Sequence, residues 1–211
     1  MLWKDLRVEV REKTYLWVQA GFTLAAGVLV ASGASGAVNP ADAGATSLSL
    51  VVLFLALFTG YSVFLREAYQ GSLDGLRAAP VERWTIIMAK TLFALILLYP
   101  QILLFTVILD AFTFGLDPAW PPLLAWAAAT SLFLAAITSF SSASLAFGEA
   151  RSGPLVMVML VLSIPYLRIA ITHLATILSG VYPPPGALLG LAAMAWAFTG
   201  LALFLGNYIL E

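Results

Sequence analysis

A chain does chemistry through groups that attack, carry protons, bind metals or cradle phosphates, and this chain has few of them. It contains no cysteine and a single histidine, His173. That excludes disulfides, iron–sulfur clusters, cysteine-based zinc sites and His-rich metal sites. Heme iron takes an axial histidine, so His173 is a candidate ligand or substrate contact. One histidine near the end of an apolar segment also reads as a polar anchor. A phosphate-cradling loop needs Gly-Lys-Ser/Thr, where backbone amides and the lysine meet the nucleotide. The lysines Lys4, Lys13 and Lys90 follow Trp3, Glu12 and Ala89, so no such loop is present here. The hydroxyls of Ser131, Thr138, Ser139, Ser141, Ser142 and Ser144 have no histidine or acid placed to activate them. Ser131, Ala135, Thr138 and Ser142 recur on one side of a helix, which reads as a close-packing seam in lipid rather than a permeation path. Arg168 stands three residues beyond Pro165 in an apolar segment. A charge there is costly and marks a functional candidate, here a contact for an anionic substrate group such as a propionate or phosphate. The competing reading is a snorkelling side chain.

The main concentration of charge beyond the N-terminus is Arg66–Lys90, REAYQGSLDGLRAAPVERWTIIMAK, which holds four of the ten Lys/Arg residues. Tyr69, Leu73, Leu76 and Pro80 fall at helical spacing, predicting one apolar face. Glu67, Gln70, Asp74 and Arg77 predict a charged face, and Gly71 and Gly75 a third. Pro80 is expected to end the helix. Such a helix can meet a membrane surface, a soluble partner and a neighbouring helix, so Glu67–Pro80 reads as a docking element rather than a mere connection.

The elements that position these residues follow from composition. The chain has 211 residues, 62% hydrophobic and 10% charged, with mean hydropathy +0.98. Soluble domains run near roughly 25% charged, so the expectation is an all-α integral membrane protein forming one membrane domain over 1–211. Met1–Thr14 is amphipathic, with Trp3, Leu6, Val10 and Trp17 recurring and Lys4, Arg7 and Arg11 on the flank. It reads as a retained interfacial helix; Asp5, Glu9 and Glu12 argue against a cleaved signal peptide. Six apolar segments follow near 15–34, 46–65, 85–109, 122–147, 154–178 and 186–209, each long enough to cross a bilayer. Pro100 and Pro165 are expected to kink the third and fifth. Nine Lys/Arg fall on one side and none on the other, which predicts cytoplasmic termini.

The 64–90 stretch resembles the heme exporter protein B (CcmB) family, the permease-like subunits of cytochrome c maturation ABC transporters. The resemblance rests on Phe64, Glu67, Gly71, Ser72, Leu73, Asp74, Leu76, Pro80, Ala89 and Lys90, and more loosely on the six-span layout and the segment LSIPYLRIAIT from Leu162 to Thr172. A single acid, Glu67, precedes the glycine where the family is often richer, and Arg168 is not a feature of its pattern. The resemblance implies a multi-pass protein of the bacterial cytoplasmic membrane. It also implies a separate cytoplasmic ABC ATPase, a heme-handling membrane subunit in the same complex, and ATP-driven release of a heme-loaded chaperone. Glu67, Tyr69, Gly71, Leu73, Asp74, Leu76 and Pro80 would then form the coupling helix that seats in the ATPase. No cofactor is expected on the chain itself, heme entering through the complex and ATP through the partner. The same layout also suits an ABC permease for a lipid, glycan or drug. An ion-coupled transporter is disfavoured because the acids lie in connections rather than within spans.

Overall fold

The computed structural model describes residues 2–12, 14–69, 71, 75, 82–113, 116–147 and 153–209. Among these residues the regular structure is helical throughout, without a strand. In chain order the elements are α1 (Leu2–Glu12), α2 (Thr14–Ser35), α3 (Pro40–Gly60), a π-helical segment (Tyr61–Leu65), α4 (Arg66–Tyr69), α5 (Arg83–Phe112), α6 (Trp120–Phe147), α7 (Gly153–Leu178) and α8 (Pro185–Ile209). Among the described residues, six stretches are long and apolar enough to cross a membrane: Leu16–Ser35, Pro40–Ala68, Arg83–Phe112, Trp120–Ala146, Val161–Leu178 and Pro185–Leu205. Six crossings return the chain to the end it started from, so α1, α4 and the last turns of α8 share one end.

The second crossing begins six residues earlier than its apolar run, which starts near Thr46. Asn39 caps α3, its side chain accepting from the Asp42 backbone N–H, and Pro40 follows at the first helical position. The Asn-Pro-Ala-Asp sequence is therefore a helix start rather than part of the loop, because proline there loses no hydrogen bond and presets φ. Pro100 and Pro165 both lie inside continuing helices.

The second and fourth crossings are the most buried, at 71% and 72% of their apolar windows, against 22% for the first and sixth. α6 is thus the hub, packed against α3, α5, α7 and α8. In lipid, association depends on close packing and interhelical hydrogen bonds rather than on apolarity alone, and α6 uses both. The Trp126 indole N–H donates to Ala170 O at 3.0 Å, and Thr138 Oγ1 donates to Ala56 O at 3.5 Å. Phe133 stacks on Tyr166 with centroids 3.8 Å apart. Ser131, Ala135, Thr138 and Ser142 are all buried, as a seam requires. α2 is held to α5 by close approach, since a Cβ on Gly27 would lie 2.8 Å from Ile108 Cγ2.

Candidate coupling site

The charged end of the bundle is assembled from three elements. On α1, Asp5 and Glu9 are one turn apart and share a face. Both are buried, at 9% and 2% exposure, while Trp3 and Val10 stay outside and Arg7 lies over the Trp3 ring. α1 therefore has two working faces. Tryptophan and basic residues point away from the bundle, as an interfacial helix requires, and two carboxylates together with Leu2 and Leu6 point into it.

What those acids meet is Lys90, two turns inside α5 and only 2% exposed. Its Nζ lies 3.0 Å from Asp5 Oδ2 and 3.0 Å from Glu67 Oε1. The same ammonium lies 5.5 Å from the centre of the Phe64 ring. Lys4 approaches Glu67 at 3.6 Å, and Arg66 donates to Glu9 Oε2 at 3.2 Å. Among the described residues, three cations (Lys4, Arg66, Lys90) thus face three carboxylates (Asp5, Glu9, Glu67), and their charges balance. Charge balance is what makes a buried ionic group tolerable, although Asp5 Oδ2, Glu9 Oε1 and Glu67 Oε2 are buried without a hydrogen bond among the described residues. A cavity of about 80 Å³ lies among these side chains, bordered also by Ser62 and Phe93. It is polar and has room for a few waters.

The π-helical segment Tyr61–Leu65 delivers Glu67 and Arg66 to this group. The Arg66 backbone N–H bonds to Tyr61 O, one residue further back than an α-helix allows. The extra residue resets the face that follows, and such insertions recur at functional sites. Beyond α4, Gly71 lies in a turn, with φ +67° and its N–H bonded to Ala68 O at 3.2 Å. Glycine takes that left-handed conformation without a Cβ penalty. This corrects the sequence expectation of one uninterrupted helix over Glu67–Pro80, because Gly71 divides the stretch and Tyr69 ends its own short helix. Gly75 is helical again. Leu73, Asp74, Leu76 and Pro80 lie outside the described residues, as does the side chain of Tyr69.

The remaining sequence candidates do not converge. Arg168 is exposed on α7 and His173 is half-buried on the same helix. Five residues of helix separate them by roughly 140°. Sequence reasoning placed Glu67 at this end of the molecule but missed Lys90, Asp5 and Glu9 as a unit. The available signals were a lysine well inside an apolar helix and two acids one turn apart on an amphipathic one.

The family model for ABC-2 type transporters matches residues 1–167, about four-fifths of the chain. The chain belongs to the ABC-2 type transporter family. The matched part of this ABC-2 chain takes in α1, the 64–90 motif and the whole Lys90 group, and stops one residue short of Arg168. No curated protein matches the chain. It is accordingly a multi-pass membrane domain of an ABC transporter, a class that works with a cytoplasmic ATPase. The Lys90 group then sits where the membrane domain of an ABC-2 transporter joins the segment between its second and third spans.

Proposed function

We propose that this membrane domain serves an ABC transporter of cytochrome c biogenesis, driven by an ATPase on a separate chain. Its basic end faces the cytoplasm of a bacterium, in keeping with the nine basic residues that the sequence assigns to one side of the crossings. The segment after α4 seats in the ATPase. When the ATPase closes, that segment is displaced, and Glu67 carries the displacement to Lys90 and through it to Asp5. The observation that carries this reading is that one buried ammonium holds α1, α4 and α5 at once. Three elements joined at a single point move as one body, the hinge-and-shear kind of transition. α1, lying at the membrane surface, and α5, crossing it, would shift together.

The 64–90 motif supports heme handling as the task, with a heme-handling membrane subunit as second partner and release of a loaded heme chaperone as the outcome. Heme then belongs to the complex, and ATP to the partner. Purification of the tagged chain in mild detergent, with every accompanying chain identified and a visible spectrum recorded, tests the reading. The expected result is an ATPase, a heme-handling subunit and a Soret band that disappears when that subunit is removed. An ATPase without a Soret band or a heme-handling subunit would leave an ABC permease for another cargo, such as a lipid, glycan or drug. Absence of any ATPase would remove the coupling account.

A further inference from the structure

One stripe of α7 changes character at Arg168. On the side toward the Lys90 group, Ile164, Val161 and Met157 are 62%, 65% and 72% exposed. On the other side the same stripe continues as Thr172, Ala175 and Ser179, with Thr176 at its edge; Thr172 and Ser179 are exposed and Thr176 is half-buried. Their hydroxyls donate down the helix to Arg168 O, Thr172 O and Thr176 O at 3.2, 3.1 and 2.9 Å. Positions 157, 161, 164, 168, 172 and 179 all fall within about 40° of Arg168 around the helix. The boundary therefore lies along one stripe, with large apolar side chains below Arg168 and the hydroxyls of Thr172 and Ser179 above it.

Arg168 sits eight residues into the eighteen-residue apolar window Val161–Leu178, close to its middle. It has no ion pair with any described residue. A charge at that depth costs about 2.5–3.5 kcal/mol on insertion scales unless it faces protein or a water-filled space. A second copy of this chain offers no counter-charge there, since no acid of the sequence falls in the middle of a crossing. The hydroxyl residues above Arg168 span about 16 Å of helix, and their oxygens keep lone pairs that can accept from water.

We propose that the Arg168–Ser179 half of this stripe lines a water-filled vestibule, open at the membrane face opposite the Lys90 group. Arg168 forms its floor. There it receives the carboxylate or phosphate of an anionic amphiphile, whose apolar body lies along Ile164, Val161 and Met157. The vestibule stands independently of the coupling account; the cargo role rests on the transporter reading.

Because the sequence has no cysteine, Thr172→Cys, Ser179→Cys and Val161→Cys each give a unique label. In open membrane fragments, which wet both faces, Thr172→Cys and Ser179→Cys should react with methanethiosulfonates, and Val161→Cys at least tenfold more slowly. At one helical turn, about 6 Å, and the dielectric of water, Arg168 changes the rate of each charged reagent about threefold in opposite directions. The anionic-over-cationic rate ratio at Thr172→Cys should therefore fall about tenfold on Arg168→Leu or Arg168→Gln and survive Arg168→Lys. Oleate should slow labelling of Thr172→Cys by neutral N-ethylmaleimide, oleyl alcohol should not, and either neutral variant should abolish the protection. An unreactive Thr172→Cys means that lipid or a partner subunit covers the stripe, and it overturns the vestibule. Labelling without charge preference overturns the floor, and oleate without effect overturns the anionic amphiphile. Nucleotide enters none of these measurements, so failure to recover an ATPase leaves them readable.

Discussion

Lys90→Met removes the ammonium while keeping an unbranched side chain of similar length. Asp5 and Glu67, each 3.0 Å from the lost Nζ, are left facing one another in a nearly closed site. Breaking a buried ionic group by deleting one partner costs about 3–5 kcal/mol. Lys4 cannot make up the difference, because its side chain is 64% exposed and exposed pairs contribute about 0–1 kcal/mol. The hold on α1 then falls to the Arg66–Glu9 pair and to the packing of Leu2 and Leu6. At about 1.4 kcal/mol per tenfold, the docked-to-released ratio of α1 drops by about two to three and a half orders of magnitude. Ser62, 7% exposed and bordering the cavity between α1 and α5, reports the change. Labelling of Ser62→Cys should accelerate about a hundredfold in the Lys90→Met background. Neutralising the group as a unit, with Lys90→Met, Asp5→Asn and Glu67→Gln together, should restore most of the protection, because a balanced buried group can be replaced at little net cost. Unchanged labelling in Lys90→Met would refute the structural role of the lysine. A triple variant as open as the single would refute the electrostatic explanation.

Further substitutions probe other parts of the account. Gly71→Ala forces a side chain into φ +67°, costing roughly 1–2 kcal/mol; less ATPase should accompany the tagged chain, and Gly71→Asn should be milder. Trp126→Phe removes the interhelical bond to Ala170 O, a carbonyl that keeps its own helical partner, so detergent-solubilised protein should lose about 0.5–1.5 kcal/mol of stability. Trp196→Phe, at an exposed position, should melt unchanged. For topology, Ser179→Cys should react with an impermeant thiol reagent added outside cells and Ser72→Cys should not; the reverse would invert the orientation.

The six crossings were legible because apolar runs of this length have few other uses, and their count survives in the structure. Boundaries were less legible. Asn39 and Pro40 spell both a turn and a helix start, and only the cap geometry separates the two. The 66–80 stretch has an apolar repeat that reads straight through Gly71, yet one glycine in the left-handed region is enough to divide it. Asp5 and Glu9 served in the sequence only as an argument against a cleaved signal peptide, because their partners lie 57 to 85 positions further along the chain. Lys90 was counted with the basic residues of a connection, although it lies inside an apolar helix. The intramembrane-charge argument that singled out Arg168 applies equally to Lys90, and only the fold shows that one is paired and the other exposed. Permease class was carried by the 64–90 motif and is borne out at the level of the ABC-2 family; cargo leaves no comparable mark in the sequence.

The central claim is that an ATPase drives this domain through the segment after α4. Its most direct test is the amount of ATPase recovered with the tagged chain when Leu73→Asp or Leu76→Asp is introduced. Burial of a leucine at a contact is worth about 1.5–3 kcal/mol, and a carboxylate in its place is left without a partner. Recovery should fall at least tenfold for either variant, with membrane-fraction yield unchanged and Asp74→Ala milder. Wild-type recovery of the ATPase with both leucine variants would contradict the account.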